Sequence, residues 1–220
     1  MSLDYPDFQP RYEQSIRELE QLGRVAEADE MRRLGYQVFL SDPGSARPNG
    51  VYFCGLKPFG AANASYPAGV RLNAGYSEYR DGPSRWPFYP RARNIIYRTL
   101  EHVFGPDTPF EAALCTNWFF YRAADTQQLK RFGPERIDCS AFHRAFLDRL
   151  QPRIILCAGN GAVSSYAGFL KLLGLETTDT IPMGGYIKIK IAQGDGLRVI
   201  GFPHFSRYEI TDKHLDQCGL

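Results

Sequence analysis

Three apolar segments of this 220-residue chain each lead into side chains that could bind or transform a ligand. These side chains carry an amine, an amide, an imidazole, a hydroxyl and a guanidinium group, on Lys57, Asn117, His204, Ser206 and Arg207. The imidazole can donate or accept a proton, the amide can bind a polar edge, and the two cations can hold a phosphate. A lysine whose pKa is lowered can also attack a carbon as a nucleophile.

These side chains would meet if the three segments, 51–54, 112–120 and 197–202, are strands of one parallel sheet. Nearly continuous apolar runs are typical of strands that are buried on both faces. The C-terminal ends of parallel strands lie at one edge, where open α/β sheets bind ligands. The sequence therefore predicts a single cleft in which the side chains of Lys57, Asn117 and His204 converge.

Another predicted strand, 153–158, ends in the small residues 159–162, and a helix then extends to about Leu173. Small residues let a backbone approach a ligand near a helix N-terminus. Further helices are predicted at 8–35, 91–104, 140–150 and 209–218, and segments 186–192 and 197–202 are predicted to form a hairpin. We expect one α/β domain over residues 1–220, a three-layer α/β/α sandwich with a mainly parallel central sheet, in which residues 1–45 form an N-terminal helical flank.

The overall charge does not select a partner, because 26 Lys and Arg face 24 Asp and Glu, a net charge of +2. Arginines and aromatic residues do alternate between residues 76 and 98, where the arginines are Arg80, Arg85, Arg91, Arg93 and Arg98 and the aromatics are Tyr76, Tyr79, Trp86, Phe88 and Tyr89. Such alternation suits phosphate backbones and stacked bases. The alternative is a solvated loop that packs its aromatic side chains inward.

The five cysteines form no CxxC pair, so we interpret them as buried small hydrophobes in a reducing cytoplasm. Four histidines and no clustered carboxylates predict neither a metal site nor a cofactor. No segment is apolar enough for a membrane span, and the first residues do not resemble a signal peptide. We therefore expect a cytoplasmic protein with no membrane partner.

The order of the loops resembles that of the uracil-DNA glycosylase superfamily. Residues 55–69 are similar to its first motif, a Gly-x-Asn/Asp-Pro loop, and most resemble its single-strand-selective members. Residues 203–207 are similar to its second motif, which is usually His-Pro-Ser. The similarity covers roughly residues 50–210. It implies a glycosylase-like core, DNA as the partner, single-stranded DNA included, and a hydrolase that excises a damaged or deaminated base.

The resemblance also implies roles for individual residues. Asn117 would hold the polar edge of an extruded base, and His204 would stabilise the departing base anion. Ser206 would contact a phosphate with Arg207 beside it. The first-motif loop would contribute four further substrate contacts, among which Phe59 is the candidate stacking ring: Gly55, Pro58, Phe59 and Asn63.

The sequence departs from the superfamily where water would be positioned, because Lys57 stands in place of Asn or Asp. A charged Lys57 would grip a phosphate, which we favour, and a neutral Lys57 would be an amine nucleophile. If Lys57 binds a phosphate, another residue must orient the water, and Asp81 and Asn63 are the candidates. Otherwise the glycosidic bond is not cut. In the second motif, Phe205 replaces Pro and Tyr208 stands where a wedge residue is expected.

Three function classes therefore compete, and enzymatic activity stays open. The first is a base-excision hydrolase, and the second is a catalytically silent nucleic-acid or nucleotide-binding protein of the same fold. The third is an unrelated α/β protein that binds a small phosphorylated ligand at residues 159–162. Ordinary structural roles compete with all three, since His204 could be a satisfied histidine at the core edge and Asn117 could bond to a turn.

Overall fold

The computed structural model describes residues 7–58, 77–82 and 87–220. Its six-stranded sheet has the order β2-β1-β3-β6-β5-β4. The strands are β1 (Val51–Gly55), β2 (Leu114–Asn117), β3 (Ile154–Ala158), β4 (Asp179–Gly184), β5 (Ile187–Gly194) and β6 (Leu197–Phe202). The first four strands in the sheet order are mutually parallel, whereas β5 and β4 are antiparallel to their neighbours. The α/β class with a mainly parallel sheet is thus confirmed.

Nine α-helices surround the sheet among the described residues: α1 (Gln9–Gln21), α2 (Val25–Leu34), α3 (Glu78–Asp81), α4 (Phe88–Phe104), α5 (Thr126–Arg131), α6 (Pro134–Ile137), α7 (Ser140–Leu150), α8 (Ser165–Leu173) and α9 (Asp212–Gln217). The predicted helix over 8–35 is two helices. Gly23, with a φ of 71°, lies between them in the left-handed region that favours glycine.

The sheet is buried on both faces. Along β1, Tyr52 and Cys54 belong to one hydrophobic cluster, and Val51 and Phe53 belong to the other. This alternation places the two clusters on opposite faces, since successive side chains of a strand point to opposite sides. Buried residues of α1, α2, α7 and α8 join the first cluster, and those of α4 and α9 join the second. Full burial of both faces explains why the parallel strands read as continuous apolar runs.

The segment after α2 covers the outer edge of β2. Phe39 forms an isolated antiparallel bridge with Thr116, and the amide of Leu40 donates to the carbonyl of Cys115 at 2.8 Å. Ser41 adds a side-chain link, because its Oγ accepts from the amide of Cys115 at 2.8 Å. The N-terminal flank therefore supplies a cover for a strand edge as well as two helices.

The strand predicted over 112–120 is shorter than expected. A 3₁₀ turn occupies Phe110–Ala112, and β2 ends at Asn117. The next two amides, those of Trp118 and Phe119, donate to the carbonyls of Gly55 and Leu56, both at 2.9 Å. These bonds hold the chain after β2 against the chain after β1, which brings two of the predicted site loops together.

All five cysteines are free and buried. Desolvation raises the pKa of Cys115 to about 12, so its thiol stays protonated. In the ranges 7–58, 77–82 and 87–220, no helix is both long enough and apolar enough to cross a membrane.

Candidate functional site

A cavity of about 840 Å³ lies at the C-terminal edge of the parallel strands. Its volume falls within the usual range for small-molecule sites. Every described residue of the predicted site lines it, namely Gly55, Lys57, Pro58, Asn117, His204, Ser206 and Arg207. Phe59 and Asn63 lie outside the described residues. The topology therefore brings the ends of β1, β2 and β6 to one cleft.

Asn117 places an amide in this cavity at the end of β2. The residue is only 3% exposed, and its side-chain amide makes no hydrogen bond to any residue in the described part of the chain. It pairs across the sheet with Gly55, where a Cβ would overlap Oδ1 of Asn117. The absence of a side chain at Gly55 thus leaves room for the amide. Since buried amides normally have partners, this one is available to a ligand.

His204 presents a neutral imidazole to the cavity. Its Nδ1 lies 3.3 Å from the amide nitrogen of Ser206 and 2.7 Å from Oγ of Ser206. A backbone N–H can only donate, so Nδ1 is the acceptor and the proton of the neutral ring is on Nε2. Desolvation by the cavity walls and the nearby Arg207 both lower the pKa of His204. The ring can therefore donate a hydrogen bond from Nε2 while it stays uncharged.

Lys57 reaches across the cavity to the chain before α5. Its Nζ donates to the carbonyl of Ala123, and it lies 3.3 Å from the carbonyl of Ala124. Desolvation lowers the pKa of Lys57, and the carboxylate of Asp125 opposes this shift. The amine therefore links two loops of the site, a role that its sequence position did not indicate.

An aromatic wall, composed of Tyr79, Phe88 and Tyr89, forms another side of the cavity. The ring of Tyr79 lies 4.6 Å from that of Phe53, and the ring of Phe88 lies 5.7 Å from that of His204. The alternation of aromatic and basic residues between 76 and 98 was the sequence signal for this wall. Tyr79 is buried in the core, whereas Phe88 and Tyr89 are partly exposed and offer ring surface to a ligand.

Two carboxylates that the sequence did not predict as site residues, Glu78 and Asp125, line the cavity. Glu78 accepts hydrogen bonds from Tyr89 Oη at 2.9 Å and from Gln37 Nε2 at 3.2 Å. Asp125 caps α5 by accepting from the amide of Gln128 at 2.8 Å. An Asp immediately before a helical segment is a usual capping pattern, which could have pointed to Asp125.

Asp81, which the sequence offered as a replacement base, does not line this cavity. Its carboxylate is bound by the guanidinium of Arg80, with Nε of Arg80 at 2.8 Å from Oδ1. That hydrogen bond lowers the pKa of Asp81. The position of Asp81 therefore argues against its proposed role.

The described arginines of the 76–98 region bind the protein itself. Arg80 pairs with Asp81 and Glu111, and Arg98 lies 2.8 Å from Asp216. The other two hold backbone carbonyls: Arg91 binds those of Phe205 and Tyr208, and Arg93 binds those of Tyr79 and Gly82. This geometry fits the inward-packing alternative better than phosphate neutralisation. Arg85 lies outside the described residues.

A smaller groove of about 400 Å³ adjoins the cavity and shares Leu56, Ala158 and His204 with it. The predicted ligand loop lines this groove with Gly159, Asn160 and Gly161. The helix that follows begins later than expected, at Ser165, because Ser164 caps it by accepting from the amide of Ala167 at 3.2 Å.

Other cavities lack this combination of groups. One of about 500 Å³ lies at the opposite edge of the sheet, where β3 and β6 begin. Within the described ranges, no group of three or more His, Cys, Asp or Glu side chains could hold a metal ion. The C-terminal edge therefore remains the candidate site.

No protein-family model matches the chain, and no curated protein sequence matches it.

Proposed function

We propose that this chain is a uracil-DNA glycosylase-like hydrolase that excises a damaged or deaminated base from DNA. One observation carries the proposal: the buried amide of Asn117, without a partner among the described residues, shares a cavity with the neutral His204. An amide can both donate to and accept from the polar edge of an extruded base. The aromatic wall offers a face on which that base can stack.

His204 would act on the leaving group. When the glycosidic bond breaks, its electron pair goes to the base, which leaves as an anion. The Nε2–H of His204 would donate a hydrogen bond to the base oxygen on which this charge collects. The hydrogen bonds from Ser206 to Nδ1 support this role because they keep the donor proton on Nε2.

Asp125 would orient the water. The first-motif position holds Lys57, and Asp125 is close enough to Lys57 to affect its pKa. The water oxygen would bond to the anomeric carbon of the sugar, and one water proton would pass to the carboxylate of Asp125. The base anion would finally take up a proton, which completes hydrolysis. Glu78 is the competing carboxylate in the same cavity.

A second candidate is a base-binding protein that does not cut the glycosidic bond. It is favoured by Lys57, which stands where the superfamily motif has the Asn or Asp that orients water, and whose Nζ donates to backbone carbonyls. In this case Asn117 and His204 would bind the base without excision. Fold class alone does not choose between the two.

A glycosylase assay tests the leading proposal, with single- and double-stranded oligonucleotides that carry uracil, hypoxanthine or xanthine. We expect excision of at least one base, and a loss of about 100-fold or more for His204→Ala. Asp125→Asn keeps the helix cap but removes the charge, so it should lose activity while Glu78→Gln retains it. Tight binding of the modified strand without excision would favour the second candidate, and neither binding nor excision would contradict both.

A borohydride experiment tests the role of Lys57. Covalent trapping of the wild type on substrate DNA, lost in Lys57→Asn, would show an amine nucleophile and contradict the water mechanism. We expect no trapped adduct. Lys57→Asn should keep the fold, and it should either leave excision unchanged or increase it, because an amide at this position can also orient water.

A further inference from the structure

The hairpin of β4 and β5 presents a tyrosine to solvent beside the candidate site. Tyr186, at the turn between the two strands, is 90% exposed, whereas the next most exposed large hydrophobic side chain, Leu22, is 59% exposed. Its ring contacts no ring of a described residue. The turn itself is fixed by Gly184 and Gly185, whose φ values of 119° and 55° favour glycine. The tyrosine is therefore held out from the protein by a defined turn.

The surface next to this tyrosine is cationic. Lys188 and Lys190 are two residues apart on β5 and so share one face of the hairpin. Both line the groove of about 400 Å³, together with Tyr186 and His204, and none of the described residues that line it is acidic. The amine of Lys188 makes no hydrogen bond or ion pair with a described residue. It is free to bind an anion.

The base of the groove is fixed by hydrogen bonds. Nδ2 of Asn160 donates to the carbonyls of Lys188 and Gly201, both at 2.8 Å. Nζ of Lys190 donates back to the carbonyl of Asn160, also at 2.8 Å. These contacts join the hairpin to the loop after β3, so the position of Tyr186 and Lys188 relative to the main cavity is set by the fold.

We infer that the hairpin binds the nucleic-acid strand next to the nucleotide whose base enters the main cavity. A phosphate of that strand binds Lys188, and a neighbouring base stacks on Tyr186. The groove and the cavity share His204, so a strand that leaves the cavity continues along the hairpin. Stacking needs an unpaired base, which makes single-stranded DNA the substrate. This inference rests on the proposed function and extends it from a base to a strand.

Fluorescence anisotropy with a short fluorescein-labelled oligothymidylate tests the inference over a range of salt concentrations. Tyr186→Ala should weaken binding by about tenfold, whereas Tyr186→Phe, which keeps the ring, should bind as the wild type does. Lys188→Ala should reduce the slope of log K against log salt concentration by about 0.7, the value for one phosphate of a single strand. Lys213→Ala, a change of an exposed lysine on α9, is the matched control and should leave the slope unchanged.

Wild-type affinity in Tyr186→Ala, a wild-type slope in Lys188→Ala, or no binding of the oligothymidylate by the wild type would each overturn the inference. The excision assay separates this failure from failure of the proposed function. If both hairpin variants excise bases from single strands at the wild-type rate below saturation, the hairpin inference fails and the proposed function stands. If no base is excised but binding depends on Tyr186 and Lys188, the proposed function fails and the hairpin inference stands.

Discussion

The buried His143 should make the stability of the protein fall with acidification in a defined pH range. Its Nε2 donates to the carbonyl of Trp118 at 2.9 Å, and its Nδ1 accepts from the hydroxyl of Tyr52 at 2.7 Å. The ring also stacks on Trp118, with centroids 4.6 Å apart. Desolvation lowers the pKa of His143 from 6.5 to about 4. The folded protein therefore holds this imidazole neutral at a pH where the unfolded chain protonates it.

The direction of this pH dependence follows from the number of protons that the folded and unfolded chains bind. Between about pH 6.5 and pH 4 the unfolded chain binds more protons at this residue, so the contribution of His143 to stability rises with pH in that range and is constant above it. At about 1.36 kcal/mol per pH unit, the free energy of unfolding should fall by about 3 kcal/mol across the range. The full effect is present above pH 6.5 and is lost by about pH 4.

Urea unfolding followed by circular dichroism, for the wild type and His143→Gln, measures this effect. The glutamine side chain offers a donating NH₂ group and an accepting carbonyl but does not titrate. Other groups titrate in both proteins, so the relevant quantity is the difference in unfolding free energy between them. That difference should change in favour of the wild type by about 3 kcal/mol as the pH rises from 4 to 6.5. A difference independent of pH would refute the reasoning.

Three further variants test the site. Gly55→Ala should displace the Asn117 amide and weaken binding of a base-containing oligonucleotide by about tenfold with an unchanged circular dichroism spectrum; equal binding would show that the amide does not contact the base. Ser206→Ala removes a donor to neutral His204, so the pKa of His204 should rise and the acid limb of the pH–rate profile should move to higher pH; an unmoved limb would contradict this. Arg91→Ala should lower the free energy of unfolding by about 1–3 kcal/mol and leave the salt slope of oligonucleotide binding unchanged; a reduced slope would identify a phosphate contact.

Much of the sheet could be predicted because burial on both faces leaves an apolar run in the sequence. Strands β1, β3 and β6 are such runs, and their predicted bounds are close to the observed ones. Strand β4 could not be found in this way. Asp179, Thr180 and Pro182 give it no apolar run, and it is mostly exposed at the sheet edge. Its strand conformation depends on pairing with β5, a tertiary contact that local sequence does not encode.

The site was predictable to the extent that topology alone determines it. The C-terminal ends of parallel strands meet at one edge of the sheet regardless of the conformation of the loops. The strand pattern alone therefore predicted that Lys57, Asn117 and His204 lie close together. Glu78 lies in the short helix α3 and Asp125 caps the short helix α5. A capping pattern can indicate where a helix begins, but the approach of these two helices to the cavity depends on tertiary packing, so neither carboxylate could be placed in the site. The hydrogen-bond partners of Arg91 could not be predicted from the sequence either, since they are backbone carbonyls more than one hundred residues away in the chain.

The cover over β2 has a consequence for how the chain is made. An open strand edge offers unpaired N–H and C=O groups to other chains, and hydrophobic edges of this kind promote aggregation. The covering segment, residues 39–41, precedes β2 in the sequence and therefore leaves the ribosome first. When β2 is synthesised, its cover is already available, so the edge is exposed only briefly. A chain that began at residue 46 would lack this cover together with α1 and α2, so it would expose the edge of β2 and part of the first hydrophobic cluster.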